Sequence, residues 1–166
     1  MVISGIIVLL IPIYREVLMI GSKISFVFML VLVHLPFLIL NLERAVSGAD
    51  PHAIHGVASI VLVLLLLFSG FVMGYTNQIY YPRWFSAYWL VGVFFMVVGY
   101  LLKLYVVLIP FVLLYAVPLY GLVHYTGHSE ETVYPLVHAA VGWGAGIIGY
   151  GIGHSRFRRR DPQQAT

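Results

Sequence analysis

Seven histidines stand in a chain that has no cysteine, and imidazole is the chemistry this sequence has to offer. Without cysteine there is no disulfide, thiolate nucleophile, iron–sulfur cluster, thiolate-bound zinc or covalent haem attachment. What remains is an imidazole that ligates haem iron or a metal, or one that moves a proton near neutral pH. Ionisable side chains inside long apolar runs are expensive and point to function. His34 sits about eight residues inside such a run. His52 and His55 open another as HxxH, His124 closes a third, and His138 lies one turn into a fourth. His128 falls in a polar loop and reads as solvated, and His154 reads as an imidazole at a helix boundary beside arginines.

At ~100° per residue, Gly142, Gly146, Gly149 and Gly153 share a face with His138. Such a stripe would let a flat macrocycle approach the backbone, or would pack another helix through the GxxxG spacings Gly142–Gly146 and Gly149–Gly153. An i,i+3 histidine pair can also hold a metal ion, but di-iron bundles of that kind need intramembrane glutamates, and the apolar runs from Ile24 onward contain none. His138 and His154 are too far out of phase to serve two stacked sites from one helix face. The simplest pairing is His34 with His55 on one side and His124 with His138 on the other.

The elements that would carry these residues follow from composition. Hydrophobic residues make up 61% of the 166 and charged residues 9%, with a mean hydropathy of +0.98. A soluble domain carries roughly 25% charge and about 45–50% apolar residues, and a chain this short cannot bury such an excess in one core. In lipid, backbone groups must be satisfied by helices or closed barrels. The run Ile60 to Phe68 shows none of the alternation of a barrel strand. The expected fold is therefore an all-α, polytopic transmembrane helical bundle of five or six spans. It forms one domain over 1–155 with a basic tail over 156–166.

Apolar windows predict helix A at Val2–Tyr14, B at Ile24–Leu42, C at Ala53–Tyr75 and F at Val133–His154. Helix A has no basic leader region or obvious cleavage site, so a removed signal peptide is not expected. Between C and F, Trp84 to Val123 is about twice the length needed to cross a ~30 Å core. It divides at Lys103 into helix D (Trp84–Leu102) and helix E (Leu104–Val123), the latter bent by Pro110 and Pro118. Lys103 would snorkel to headgroups or neutralise a haem propionate. The charged loops are Asn41–Pro51, Thr76–Arg83 and Tyr125–Thr132. Tyr80, Tyr81 and Trp84 are placed for an interfacial belt.

Arg156, Arg158, Arg159 and Arg160 act as a cytoplasmic anchor and place the C-terminus in the cytoplasm; a nucleic-acid partner is not expected. Counting back through full crossings puts His34, His52, His55 and His154 towards the inner side, and His124, His128 and His138 towards the outer. Two histidine levels are what an electron carrier with two b-type haems would need.

His52-Ala-Ile-His55-Gly56 and Leu136-Val-His138-Ala-Ala-Val-Gly142-Trp-Gly144 each open a long apolar helix. In these segments the chain resembles the membrane cytochromes b, especially the cytochrome b561-like di-haem helical bundles. The resemblance implies bis-histidine haem b, one or two groups, with electrons taken from a quinol or another small reductant. The expected function is transmembrane electron transfer, a membrane oxidoreductase activity. It would rest on His34, His55, His124 and His138 as haem-iron ligands, with Gly142 and Gly146 against the macrocycle. Two alternatives stand beside it: a cofactor-free subunit of a larger membrane complex or homo-oligomer, and a proton- or metal-handling transporter using His34, His138 and Lys103.

Overall fold

The computed structural model describes residues 23–126 and 134–160, with side chains placed from 29 and up to 158. Helix A, His128, Glu130, Glu131 and residues 161–166 lie outside the described residues. The chain divides into two units, 1–32 and 33–166. The first contributes the opening turns of one helix, and all packing below belongs to the second.

Every regular element among the described residues is helical. Helix α1 is Lys23–Ser47, α2 Ala53–Tyr75, α3 Tyr81–Leu101 and α4 Tyr105–Tyr115. A 3-10 segment Val117–Leu122 and the single turn α5 (Val123–Thr126) follow, and then α6, Tyr134–Arg160. Four helical stretches are long and apolar enough to cross a membrane: Met29–Ser47, Ala53–Tyr75, Tyr81–Leu101 and Tyr134–Arg158. The all-α bundle expected from composition is the observed architecture.

Local chemistry accounts for the boundaries. Helix α2 matches its predicted limits and stops at Asn77, whose φ of 55° is the left-handed conformation that ends helices. Gln78 N–H then donates to the Met73 carbonyl at 2.9 Å. Lys103 does the same after α3, with φ 54° and Leu104 N–H donating to the Gly99 carbonyl at 2.8 Å. Helix α3 starts three residues before the predicted Trp84, because Pro82 suits a first helical turn. Helices α1 and α6 outrun their apolar windows through Glu43–Arg44 and the arginines, since the ends of a span reach headgroup water, where charge is tolerated.

The inward faces meet at close range. Leu62, Leu66, Phe85, Trp89 and Leu119 are almost completely enclosed, while Leu90 and Phe94, on the opposite face of α3, are 66% and 60% exposed. An exposed phenylalanine and leucine on a span face hydrocarbon, not water. On α2 and α6 the backbones touch: Gly149 abuts the Leu67 carbonyl, Gly153 that of Phe71, Gly70 that of Gly146 and Gly74 that of Tyr150. A side chain at any of these would drive the helices apart. The residue numbers rise together along both partners, so α2 and α6 run parallel. Helix α3 runs antiparallel to α6, with Trp89 over Gly142, Phe85 over Gly146, and Tyr81 stacked on Tyr150 at 5.7 Å.

That geometry overturns helix E as a crossing. Helices α2 and α6 run the same way with one crossing, α3, between them. The chain between α3 and α6 must therefore leave and return at the same end of the bundle. Its contacts trace the path. Leu108 lies against Gly99, Phe111 stacks on Phe95 at 4.6 Å, and the Tyr115 ring covers Gly92, so α4 descends along α3. After Ala116 the path bends by 56° and returns towards the head of α2. Ser59 Oγ donates to the Pro118 carbonyl at 3.2 Å, Gly121 abuts the His55 carbonyl, and His124 Nδ1 lies 2.9 Å from the Pro51 carbonyl. The partners on α2 fall from 59 to 51 as the chain advances from 118 to 124. Residues 105–125 form a re-entrant hairpin, bent by Pro118 as its sequence predicts, while Pro110 sits inside α4 without breaking it.

Candidate functional site: a polar interior at a re-entrant break

A hairpin that dips into a bilayer exposes carbonyls at its tip, and such backbone is tolerated only where protein or a wet cavity covers it. Polar side chains from three other helices supply the cover here. Asn41 of α1 donates through Nδ2 to the Phe37 carbonyl at 3.0 Å and to the Pro118 carbonyl at 3.1 Å. Ser59 of α2 donates to the same Pro118 oxygen. His138 of α6 hydrogen-bonds the Ala116 carbonyl. Asn41 and Ser59 are wholly enclosed, and His138 is 4% exposed.

These bonds leave a defined remainder. Both Asn41 Nδ2 protons are spent, so its Oδ1 can only accept. The Asn41 Oδ1 is buried with no partner, as are Nδ1 of His138 and Nδ1 of His55. In a neutral His138 that donates one N–H to Ala116, the second nitrogen is a lone pair. The tip of the hairpin thus carries two acceptors, Asn41 Oδ1 and His138 Nδ1, that no donor among the described residues reaches.

The expected site residues distribute as follows. His34 is fully enclosed and packs between Tyr88 and Trp89, at ring separations of 6.1 and 5.7 Å. Its level on α1 is about two turns deeper than Asn41, whereas His55 lies one turn from the head of α2. At 1.5 Å per residue, His34 and His55 are separated by on the order of 15 Å along the bundle. His124 is exposed at the mouth of the hairpin, next to Tyr125, and His138 lies deeper against Ala116. His34 and His55 are thus at different levels, and so are His124 and His138. The two-level sorting is also corrected: His52, His55, His124 and His138 all belong to the end where α2 begins, because the hairpin returns there. His154 is at the opposite end, stacked on Tyr150 at 5.7 Å.

The glycine face follows the packing alternative. The recess over Gly142 holds the Trp89 ring and that over Gly146 holds Phe85. The described histidine rings that approach one another, His52 and His55 at 6.1 Å, lie on the same helix and not across a gap. Among the described residues no cluster of three metal-ligating side chains occurs. As arranged, these residues do not fit a bis-histidine haem, since the space a macrocycle would take is filled by two aromatic rings and the α2 backbone. Lys103 is exposed at the turn between α3 and α4, away from His34 and His138.

No protein-family model, no curated protein and no solved structure matches the chain.

Asn41, Ser59 and the Ala116 and Pro118 carbonyls were not singled out by sequence. Asn41 stands at the last turn of predicted helix B and the head of the loop Asn41–Pro51, and nothing local shows that it reaches the Pro118 carbonyl. Ser59 had one signal: it is four residues after His55, on the same helix face.

Proposed function

We infer that this is an integral membrane protein that admits a proton, or a small cation carrying hydrogen-bond donors, to a site at the tip of its re-entrant hairpin. The observation that carries the reading is the pair of buried acceptors without donors, Asn41 Oδ1 and His138 Nδ1, at the break at Ala116–Pro118, with the unpartnered His55 Nδ1 on the adjacent helix. Leaving such an atom unsatisfied costs about 1–3 kcal/mol, and a bound donor removes that cost. Broken helices at mid-membrane supply ion and proton sites in transporters for this reason.

The path is one-sided. His52 and His124 are exposed at the hairpin end, His55 is next, and Asn41, Ser59 and His138 lie at the tip. Beyond them Leu62, Leu66, Phe85 and Trp89 close the bundle with apolar side chains. His34 borders that plug. Transfer to the other side therefore requires the plug or the hairpin to move, and the unpartnered His138 Nδ1 offers a lone pair on the way.

Charge placement supports an orientation. Arg83, Arg156 and Arg158 lie at the end opposite the hairpin mouth, whereas Arg44 and Lys103 share the mouth with Glu43 and Asp50. By the positive-inside rule the arginine end, with the C-terminus, is cytoplasmic and the mouth opens outward.

The test is uptake into proteoliposomes carrying an internal pH dye. Wild-type protein should dissipate an imposed proton gradient faster than empty vesicles, and His138→Phe and Asn41→Leu should abolish the excess. Wild-type vesicles no leakier than empty ones would end the proposal for protons, and ammonium uptake no faster than into empty vesicles would end it for cations. The electron-carrier expectation separates cleanly: a Soret band that shifts on dithionite reduction of purified protein would restore it.

A further inference from the structure

A cleft of about 500 Å³ lies along the flank of the hairpin, reaching down to Val117 at the break. Its walls include Val46 of α1, Val97 and Leu101 of α3, Ile109 and Val112 of α4, and Leu136 of α6. Val46 and Leu101 are 72% and 71% exposed, so the cleft is open to the surroundings of the helices and not sealed. Ligand sites typically occupy about 300–1,000 Å³. Water in so apolar a cleft would lack the two to four polar partners that hold it, and the medium around these helices is hydrocarbon. Lys103, exposed and in a left-handed backbone conformation, follows the wall residue Leu101 by two residues. Among the described residues Lys103 forms no ion pair, whereas Arg44, at the same end of the bundle, is engaged by His52 Nε2 at 2.6 Å.

We propose that this cleft binds one hydrocarbon chain of an anionic membrane lipid, with the headgroup held by Lys103. The chain lies along the face of α4 that no other helix among the described residues covers and so wedges the descending limb of the hairpin against α3. Lys103 selects the charge, because a basic side chain at the membrane surface favours an anionic lipid over a zwitterionic one. The site is independent of the acceptors at the hairpin tip and stands whether or not those admit a cation.

Native mass spectrometry from detergent tests it, with phosphatidylglycerol and phosphatidylcholine offered in equal amounts. Wild-type protein should retain one phosphatidylglycerol with a preference of about fivefold, the effect of one surface lysine. Lys103→Gln, on an exposed turn, should keep a lipid but lose the preference. Ile109→Trp and Val112→Trp, which fill the cleft, should lose the bound lipid while circular dichroism stays helical. A preference unchanged in Lys103→Gln overturns the headgroup assignment even if the tryptophan variants do not fold. Lipid retention unchanged in a folded tryptophan variant overturns the cleft. A wild-type dimer that Ile109→Trp converts to monomer, with lipid unaffected, would make a second copy the occupant and overturn the proposal.

Discussion

Glycines of identical chemistry differ sharply here in what surrounds them. Gly149 presses on the Leu67 carbonyl, so a methyl there must part α2 from α6, while Gly144 and Gly151 have nothing within 4 Å. Gly149→Ala should lower stability by about 1–3 kcal/mol, the usual range for overpacking. Gly144→Ala should be neutral or stabilising by up to ~1 kcal/mol, through helix propensity alone. Unfolding in mixed micelles titrated with sodium dodecyl sulfate reads both, and equal losses would contradict the helix contact described. Polar residues divide in the same way. Ser47 and Thr76 return their hydroxyls to their own helix, at 2.8 and 2.9 Å, whereas Ser59 reaches a carbonyl 59 positions away.

The hairpin is the element on which the molecule turns, and its tip is held by shared bonds. Asn41 and Ser59 donate to one Pro118 oxygen, so either alone keeps that acceptor satisfied. Ser59→Ala should therefore cost about 1 kcal/mol or less, and Asn41→Leu somewhat more because it also frees the Phe37 carbonyl. The double variant should exceed the sum by about 0.5 kcal/mol or more, as expected for residues in one network. Strict additivity in a double-mutant cycle would mean that the two do not share the carbonyl. The descending limb is held differently, by Tyr115 Oη donating to the Tyr88 carbonyl at 3.0 Å and by Phe95–Phe111 stacking. Tyr115→Phe should loosen α4 without touching the Pro118 contacts, which hydrogen exchange would show as faster protons in 105–115 only.

At the scale of the whole molecule, the parallel course of α2 and α6 fixes which loops share a side. The chain has no cysteine, so single cysteines report cleanly. Ala49→Cys, Lys103→Cys and Tyr125→Cys should all react with a membrane-impermeant maleimide from one face, and Asn77→Cys and Ser155→Cys from the other. If the hairpin crossed the bilayer, Tyr125→Cys would label with Asn77→Cys. This experiment also fixes the absolute orientation proposed from Arg83, Arg156 and Arg158.

Composition and periodicity alone determined that the chain is helical and built for lipid, and they set α2 to the residue and α3 within three. A long apolar run has one way to satisfy its backbone in hydrocarbon, so length and hydropathy suffice. They could not decide whether the second half of the Trp84–Val123 run crosses or returns. Re-entrant and crossing segments are equally apolar, and what separates them is a partner for two carbonyls, supplied by Asn41, Ser59 and His138 from helices remote in sequence. The histidine levels inherited that ambiguity, since depth was counted through crossings. Only the tertiary contacts placed His124 beside Pro51 and filled the glycine face with Trp89 and Phe85.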